Sequence, residues 1–227
     1  MNSNIKIYCS ETLDEVSISA FNFFAKNHQK SDNSFYIIPG GRTPKPLFNL
    51  LSKNISDWSN TQFILSDERV VDNAELSNEF MVMKELFSKI NSNEKPNLIR
   101  YDKNGCLSKT EKILESKSPV LTILGIGTDG HTASLFPGNL DIMNENKVCL
   151  EVKNTWENYS RITLSFGYLM KSNQIAFIAT GESKAEAIKE CLKGRYDPIQ
   201  YPSQYIFHNY KDPIHIFCDK AAGKYIV

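Results

Sequence analysis

The sequence predicts an α/β fold built on a doubly wound, largely parallel sheet with helices on both faces. Short apolar runs rich in Val, Ile and Phe alternate with longer stretches of helical periodicity, which is the pattern of that fold class. Polar and glycine-containing clusters directly follow several of the apolar runs, as they do where the strands of such a sheet end. The 227 residues suffice for one substantial core but not for two comfortably sized domains. We therefore expect a single, Rossmann-like domain over residues 1–227.

The apolar runs place the strands. Seven of them have the length and the β-branched or aromatic content of strands, namely residues 5–9, 34–38, 62–65, 120–126, 161–165, 174–180 and 214–218. Between the first two, Thr12 and Glu15 have the spacing of a capping box, and the apolar residues that follow fall on one helical face. This segment predicts a helix that faces the core.

Further helices are predicted between the later strands. Apolar residues at helical spacing indicate them at 47–51, 80–90 and, by a weaker pattern, 110–114. The last predicted helix has Ser183 and Glu186 at capping-box spacing and ends at Gly194.

The charge balance restricts the partners of this protein. Lys plus Arg equal Asp plus Glu at 26 each, so no overall field would draw the chain to nucleic acid or to an anionic membrane. No apolar run reaches the roughly 18 residues of a membrane span, and the first residues do not have the pattern of a signal peptide. We expect a cytoplasmic protein that binds a small molecule, as a monomer or a homodimer.

The cysteines indicate reduced thiols. They are five in number, scattered, without a CxxC pair or a histidine at ligand spacing: Cys9, Cys106, Cys149, Cys191 and Cys218. Neither a disulfide framework nor a metal site is predicted, and no cofactor is expected.

A glycine turn follows the second strand. Gly40, Gly41 and Arg42 lead into a predicted helix start with Thr43 as N-cap and Pro44 at the first helical position. Such a terminus offers free backbone N–H groups to a phosphate. The alternative is an ordinary strand-to-helix turn in which the glycines only permit positive φ angles.

Charged side chains follow the third strand. Ser66, Asp67, Glu68 and Arg69 place two carboxylates and a guanidinium where charges face either a cleft or solvent. A cleft would make them functional, whereas a solvated loop would hold ion pairs of little energetic value.

The most specific signal is a glycine-flanked histidine after the predicted strand 120–126. Gly127, Asp129, Gly130 and His131 hold a titratable imidazole at the sheet edge in a turn with little steric bulk. The other three histidines are interpreted as structural, namely His28, His208 and His215.

Two cations complete the candidate site. Arg161 opens a predicted strand, and Lys184 lies in the first turn of a predicted helix, where the helix dipole disfavours a cation unless an anion is near. Both residues could instead face solvent, as most Arg and Lys do. Beside the glycine turn they would form a phosphate pocket, with Arg161 able to bind bidentately.

These motifs, in this order, resemble those of the 6-phosphogluconolactonases. The resemblance spans nearly the whole chain and rests on the segments 40–47, 67–69, 125–138, 161–164 and 180–186 together with Asn78. The most specific part is Asp-Gly-His-Thr-Ala-Ser-Leu-Phe-Pro at 129–137. The sequence departs from the usual family wording at Arg42, where Ser is common, and at Thr128, where Pro is common. The resemblance implies a doubly wound domain with a sugar-phosphate cleft.

The resemblance also implies roles for the candidate residues. Gly41, Thr43, Arg161 and Lys184 would bind the phosphate, with Gly40, Arg42, Gly127 and Gly130 contributing to the pocket and Lys45 as a further candidate. Asp67, Arg69 and His131 would face the lactone ring. His131 would activate water, Arg69 would stabilise the oxyanion, and Asp67 and Asp129 would orient His131 or hold sugar hydroxyls.

Two other functions share the fold. In glucosamine-6-phosphate deaminases a catalytic Glu closely follows the histidine, whereas Thr132 to Phe136 contain no carboxylate here. Sugar-phosphate sensor domains carry a DNA-binding helix-turn-helix ahead of the fold, whereas here the first predicted strand begins at Ile5. Hydrolysis of 6-phosphogluconolactone to 6-phosphogluconate is therefore the function that the resemblance favours.

Overall fold

The structure is a computed structural model that describes residues 4–28, 34–91, 95–103, 107–144, 146–153 and 157–227. The strands are β1 (Ile5–Ser10), β2 (Ser34–Ile38), β3 (Thr61–Leu65), β4 (Asp67–Arg69), β5 (Asn97–Ile99), β6 (Leu121–Gly125), β7 (Cys149–Val152), β8 (Arg161–Leu164), β9 (Ile175–Ala179) and β10 (Ile214–Asp219). The helices are α1 (Leu13–His28), α2 (Lys45–Asn54), α3 (Asn78–Glu85), α4 (Leu107–Glu115), α5 (Phe166–Leu169), α6 (Ala185–Lys193) and α7 (Ser203–Asn209). Short 3₁₀ turns lie at Ala74–Leu76, Phe87–Lys89, Leu140–Met143 and Glu182–Lys184.

Seven strands form one sheet, in the order β1-β10-β9-β6-β2-β3-β5, and all its neighbours are parallel. The chain moves from β2 toward β3 and β5 on one side, and from β6 toward β9 on the other. Because crossovers are right-handed, opposite directions of travel place α2 on one face of the sheet and α6 on the other. The predicted doubly wound α/β fold is confirmed, and its switch point lies between β6 and β2.

The predicted strand 161–165 does not belong to this main sheet. It forms β8 at the centre of a small antiparallel sheet, in the order β4-β8-β7. Ser66 joins the two sheets, because its N–H donates to the carbonyl of Ile38 and its own carbonyl accepts the N–H of Leu164. The charged segment after β3 is therefore a short strand and not the loop that the sequence suggested.

The helix starts are confirmed in one case and corrected in two. The capping box of α1 forms, with the N–H of Glu15 on the Thr12 hydroxyl at 3.3 Å and the N–H of Thr12 on the Glu15 carboxylate at 3.3 Å. Helix α2 starts one residue later than predicted, so Pro44 and not Thr43 is its N-cap. The residues Glu182–Lys184 form a 3₁₀ turn before α6, so the N-cap of α6 is Lys184 and not Ser183.

Two of the other histidines pack against aromatic side chains, and three of the cysteines are buried. His28 bonds the Tyr36 hydroxyl with one ring nitrogen and the Asp57 carbonyl with the other, both at 2.9 Å, beneath an aromatic cluster. His215 is 5% exposed, stacks on the Tyr8 ring and contacts the tilted ring of Phe23. Free thiols are found at Cys9, Cys149, Cys191 and Cys218, whereas Cys106 lies outside the described residues. Among the described helices, none is both long and apolar enough to span a membrane.

Candidate active site

A cavity of about 240 Å³ opens at the carboxyl ends of the strands beside the switch point. Ligands of doubly wound sheets bind at this place. Most of the predicted site residues line the cavity, namely Gly40, Gly41, Arg42, Thr43, Asp67, Arg69, Gly127, His131, Arg161 and Lys184. Four of these side chains are cations and one is a carboxylate, so the cavity is electropositive although the chain as a whole is balanced in charge.

The turn after β6 holds His131 through Asp129. One Asp129 oxygen lies 2.6 Å from Nδ1 of His131 and also accepts the backbone N–H of His131 at 3.2 Å. Burial alone would raise the pKa of Asp129, but the hydrogen bonds and charge of His131 outweigh it and lower that pKa to about 2. An ionised carboxylate at Nδ1 fixes the ring and assigns Nε2 to chemistry in the cavity.

Gly127 and the following residues shape this turn. A Cβ on Gly127 would lie 2.1 Å from Nδ1 of His131, so only glycine lets the ring fold back over the strand end. The Thr132 hydroxyl donates to the Gly125 carbonyl at 2.9 Å, and the N–H of Ser134 donates to the Thr163 hydroxyl at 3.2 Å. The histidine is therefore carried by a turn tied to both sheets.

Strand β4 explains the two carboxylates of the charged segment. Side chains alternate along a strand, so Asp67 and Arg69 face the cavity while Glu68 points away. Glu68 is 1% exposed and accepts the N–H groups of Asn78 and Glu79, each at 2.8 Å, at the start of α3. Glu68 thus stabilises a helix N-terminus, and Asp67 is the carboxylate available to a ligand.

The pairing of β4 with β8 places the guanidinium groups of Arg69 and Arg161 side by side. Arg69 and Arg161 are direct partners in the antiparallel pairing, which is unfavourable for like charges unless anions lie near. Arg69 donates from Nη1 to the Leu76 carbonyl at 2.8 Å, and its buried Nε has no hydrogen-bond partner among the described residues. Asp67 accepts the Ser134 hydroxyl at 2.6 Å and approaches Nη1 of Arg161 at 3.5 Å.

The glycine turn offers donors to the same cavity. Gly41 has φ of +85°, and the backbone N–H groups of Gly41, Arg42 and Thr43 donate to no residue that the structure describes. A Cβ on Gly40 would lie 2.1 Å from Oδ1 of Asn78, so glycine is required for the close approach of that side chain. Asn78 in turn donates to the Asp67 carbonyl at 3.0 Å.

Lys184 reaches the cavity from the other side of the switch point. It ends the 3₁₀ turn that follows Gly181, whose N–H is held by the Asp219 carboxylate at 2.9 and 3.1 Å. Burial lowers the pKa of the Lys184 ammonium, and the nearby charge of Asp129 offsets part of that effect. Within the described part of the chain the ammonium has no hydrogen bond or ion pair, so it is available to an anion.

Three predicted residues do not line the cavity. The Lys45 ammonium pairs with Glu85 of α3 at 3.5 Å, and Lys45 is not among the lining residues. Gly130 lies behind the histidine, where a Cβ would meet the Tyr201 ring at 2.8 Å. Asp129 does not line the cavity itself, but it bonds His131 and its charge affects Lys184.

Two residues that contact Asp67 had no predicted role, and one of them, Asn78, also lines the cavity. Asn78 was part of a family motif without a function, and Ser134 was a neutral position in the histidine motif. Their contacts with Asp67 depend on tertiary pairing between β4 and distant segments, which no local pattern reveals.

A larger groove of about 810 Å³ adjoins the site but contains no histidine. Its lining includes Lys103, Glu151, Lys153, Glu157 and Tyr159. Glu157 belongs to this groove and Arg161 to the cavity, so their ion pair forms part of the wall between them. Over the residues that the structure describes, no three His, Cys, Asp or Glu side chains come together as a metal site would require.

A doubly wound domain with a histidine–aspartate pair and clustered cations at its switch point defines an enzyme for a small anionic substrate. A model of the family described as glucosamine-6-phosphate isomerases/6-phosphogluconolactonase matches residues 8–215, and the chain belongs to this family. A 6-phosphogluconolactonase of Helicobacter pylori is 30% identical over 219 residues, which cover 93% of this chain and 94% of the relative.

Solved structures agree with this assignment. A 6-phosphogluconolactonase from Shewanella baltica superimposes with a TM-score of 0.84 at 27% identity, covering 96% of this chain and 99% of that one. A monomeric glucosamine-6-phosphate deaminase has a TM-score of 0.80 at 20% identity, covering 96% and 99%, and shows that the two activities share this fold.

Proposed function

We propose that this protein is a 6-phosphogluconolactonase, which hydrolyses 6-phosphoglucono-1,5-lactone to 6-phosphogluconate. The observation that carries the proposal is the His131–Asp129 pair at the rim of an electropositive cavity. The pair supplies a base for water, and the cavity supplies charge for a phosphate. The lactonases of similar length among the relatives support the choice of substrate.

The phosphate is held by cations and backbone N–H groups. Lys184, Arg161 and the residues Gly41 to Thr43 all line the cavity, and their ammonium, guanidinium and backbone N–H groups suit a dianion. Arg42 stands where the family commonly has a short hydroxyl side chain, and its exposed guanidinium lies at the rim. It adds charge to the phosphate pocket in place of a hydroxyl contact.

The reaction needs one proton acceptor that later acts as a donor. His131 takes a proton from a water molecule as its oxygen forms a bond to the lactone carbonyl carbon C1. The carbonyl electrons move to the oxygen and return when the bond between C1 and the ring oxygen breaks. The imidazolium then gives its proton to the leaving ring oxygen, which becomes a hydroxyl group. Asp129 stabilises the imidazolium between these two steps.

Arg69 and Asp67 complete the site. Arg69 lines the cavity, and its guanidinium is the donor proposed for the oxyanion that forms on C1. Asp67, fixed by Ser134, accepts hydrogen bonds from sugar hydroxyls. An activated ester hydrolyses without help, so general-base catalysis of about 10² to 10⁴ in rate would supply much of the acceleration.

The rival activity within the family is isomerisation with deamination of an amino-sugar phosphate. That reaction is associated with a catalytic Glu soon after the histidine, whereas the side chains of Thr132 to Phe136 carry no carboxylate. The carboxylate that lines the cavity is Asp67, which Ser134 and Arg161 already engage.

We further propose that residues 1–227 form one domain, that the enzyme acts in the cytoplasm without a metal or cofactor, and that it is a monomer or homodimer.

The direct test follows the loss of freshly made 6-phosphogluconolactone in the presence of the purified protein, against its spontaneous hydrolysis. The proposal predicts a large acceleration with release of one acid equivalent per lactone. Glucosamine 6-phosphate serves as the alternative substrate, and ammonia release from it without lactone hydrolysis would assign the chain to the deaminases. Binding of both sugar phosphates without turnover would indicate a sensor domain.

A further inference from the structure

The Arg161 guanidinium is held along one edge by Glu157. Its Nε donates to one Glu157 carboxylate oxygen at 2.8 Å and its Nη2 to the other at 2.6 Å. The third nitrogen, Nη1, has only long contacts, at 3.4 Å to the Ser134 hydroxyl and 3.5 Å to Asp67. One edge of the guanidinium is thus fixed, and the opposite nitrogen is left at the cavity.

Two aromatic rings and a hydroxyl support this arrangement. The guanidinium carbon of Arg161 lies 5.5 Å from the centre of the Phe136 ring and 5.8 Å from that of Tyr159. The Tyr159 hydroxyl donates to Glu157 at 2.8 Å, so the carboxylate is itself held in place. The Arg161 side chain is only 12% exposed.

A bound carboxylate could either hold Arg161 for the phosphate or compete with the phosphate for Arg161. The count of donors decides between these roles. A guanidinium has five N–H groups, and Glu157 uses two of them on the edge that faces the larger groove. Of the other three, two are on Nη1, whose contacts with Ser134 and Asp67 are long, so a phosphate and Glu157 can bind Arg161 together. Fixing a long side chain beforehand also lowers the entropy lost on binding.

We propose that Glu157 is a positioning residue that fixes Arg161 toward the substrate phosphate and so sets the preference for phosphorylated over unphosphorylated lactones. The inference rests on the proposed lactonase function. Glu157 also offsets the repulsion between Arg161 and Arg69, which stand opposite each other on β8 and β4. It acts through Arg161 and does not itself contact the substrate.

The test compares Glu157→Gln with wild type on 6-phosphogluconolactone and on unphosphorylated gluconolactone. Glutamine keeps the size but offers one acceptor and presents an N–H group to the other guanidinium N–H. We expect KM for the phosphorylated lactone to rise about tenfold, as for loss of one charge-assisted hydrogen bond, with kcat little changed. Turnover of the unphosphorylated lactone should not change. The matched control is Glu151→Gln, an exposed carboxylate on β7 that lines the same groove.

Several outcomes would overturn the inference. A lower KM in Glu157→Gln would show that the carboxylate competes with the phosphate, and an unchanged KM would show that it does not act on binding. Equal losses on both lactones would indicate a purely structural role. If Glu157→Gln does not fold, Tyr159→Phe decides, since loss of its hydrogen bond to Glu157 should raise the same KM more weakly. A wild-type protein inactive on 6-phosphogluconolactone would instead refute the proposed function itself.

Discussion

Replacing Asp129 by Asn removes the charge beside His131 while it keeps the size of the side chain. In the native protein the carboxylate lies 2.6 Å from Nδ1 and also accepts the His131 N–H at 3.2 Å. The asparagine can turn its amide oxygen toward the Nδ1–H group and keep a neutral hydrogen bond. The variant therefore loses the charge that stabilises the imidazolium in the transition state, and it retains the ring orientation.

The size of the effect follows from the exposure of the pair. A hydrogen bond to a charged group is worth about 1.5 to 3 kcal/mol, against about 1 kcal/mol for a neutral one. The two energies differ by about 0.5 to 2 kcal/mol. The Asp129 side chain is 39% exposed, so solvent screening places the loss of transition-state stabilisation toward the lower end of that range. A loss of about 0.7 kcal/mol corresponds to a roughly threefold lower kcat.

The assay measures acid release from freshly made 6-phosphogluconolactone, corrected for spontaneous hydrolysis, with Asp141→Asn as control. Asp141 is an exposed carboxylate on the same connection between β6 and β7, and its replacement should leave kcat unchanged. An unchanged kcat in Asp129→Asn would refute the reasoning that its charge acts through His131. A loss as large as that of removing His131 would show that Asp129 takes part in the chemistry directly.

Three further predictions test the site and the core. Gly127→Ala puts a Cβ 2.1 Å from Nδ1 of His131, so kcat should fall by about 10² while the exposed neighbour variant Thr128→Ala remains active; equal rates would contradict the placement of the ring. Lys184→Ala should raise KM for the phosphorylated lactone about 10- to 100-fold and spare unphosphorylated gluconolactone, whereas equal losses on both would argue against a phosphate contact. Burial, with a contribution from Lys6, lowers the pKa of His215 from 6.5 to about 4, so the unfolded chain binds the proton first and the fold loses stability as the pH falls through this window. Urea unfolding should show that the free energy of unfolding of wild type falls by about 2 kcal/mol more between pH 7 and pH 5 than that of His215→Gln. An identical pH dependence of the two would exclude a neutral buried imidazole.

The fold could be predicted from the sequence because its parallel strands are buried on both faces. Residues 34–38 and 121–124 are buried at every position, and apart from Ser34 and Thr122 they are apolar, so these runs stand out from the helices between them. The small antiparallel sheet has no such signal. Its strand β4 is three charged residues long, and it is a strand only because β8 pairs with it.

The site could be predicted as a set of residues but not as a set of contacts. Glycine turns and charges after strands converge because parallel strands end at one edge, and that rule brought the glycine turn, His131 and Lys184 together. Lys45 was predicted to bind the substrate because of its place in a motif, but in the structure its side chain pairs with Glu85. Glu157, which precedes β8, forms two hydrogen bonds with Arg161 of that strand. The spacing of the two residues alone does not distinguish this ion pair from one on the surface.

Replacement of His131 by Asn tests the central claim most directly, because asparagine keeps a similar size and polarity but cannot accept and return a proton near neutral pH. The account predicts that kcat on 6-phosphogluconolactone falls by about 10² to 10⁴, with only a modest change in affinity for 6-phosphogluconate. If His131→Asn keeps most of the wild-type kcat while chemistry limits the rate, His131 is not the base, and a carboxylate such as Asp67 takes its place.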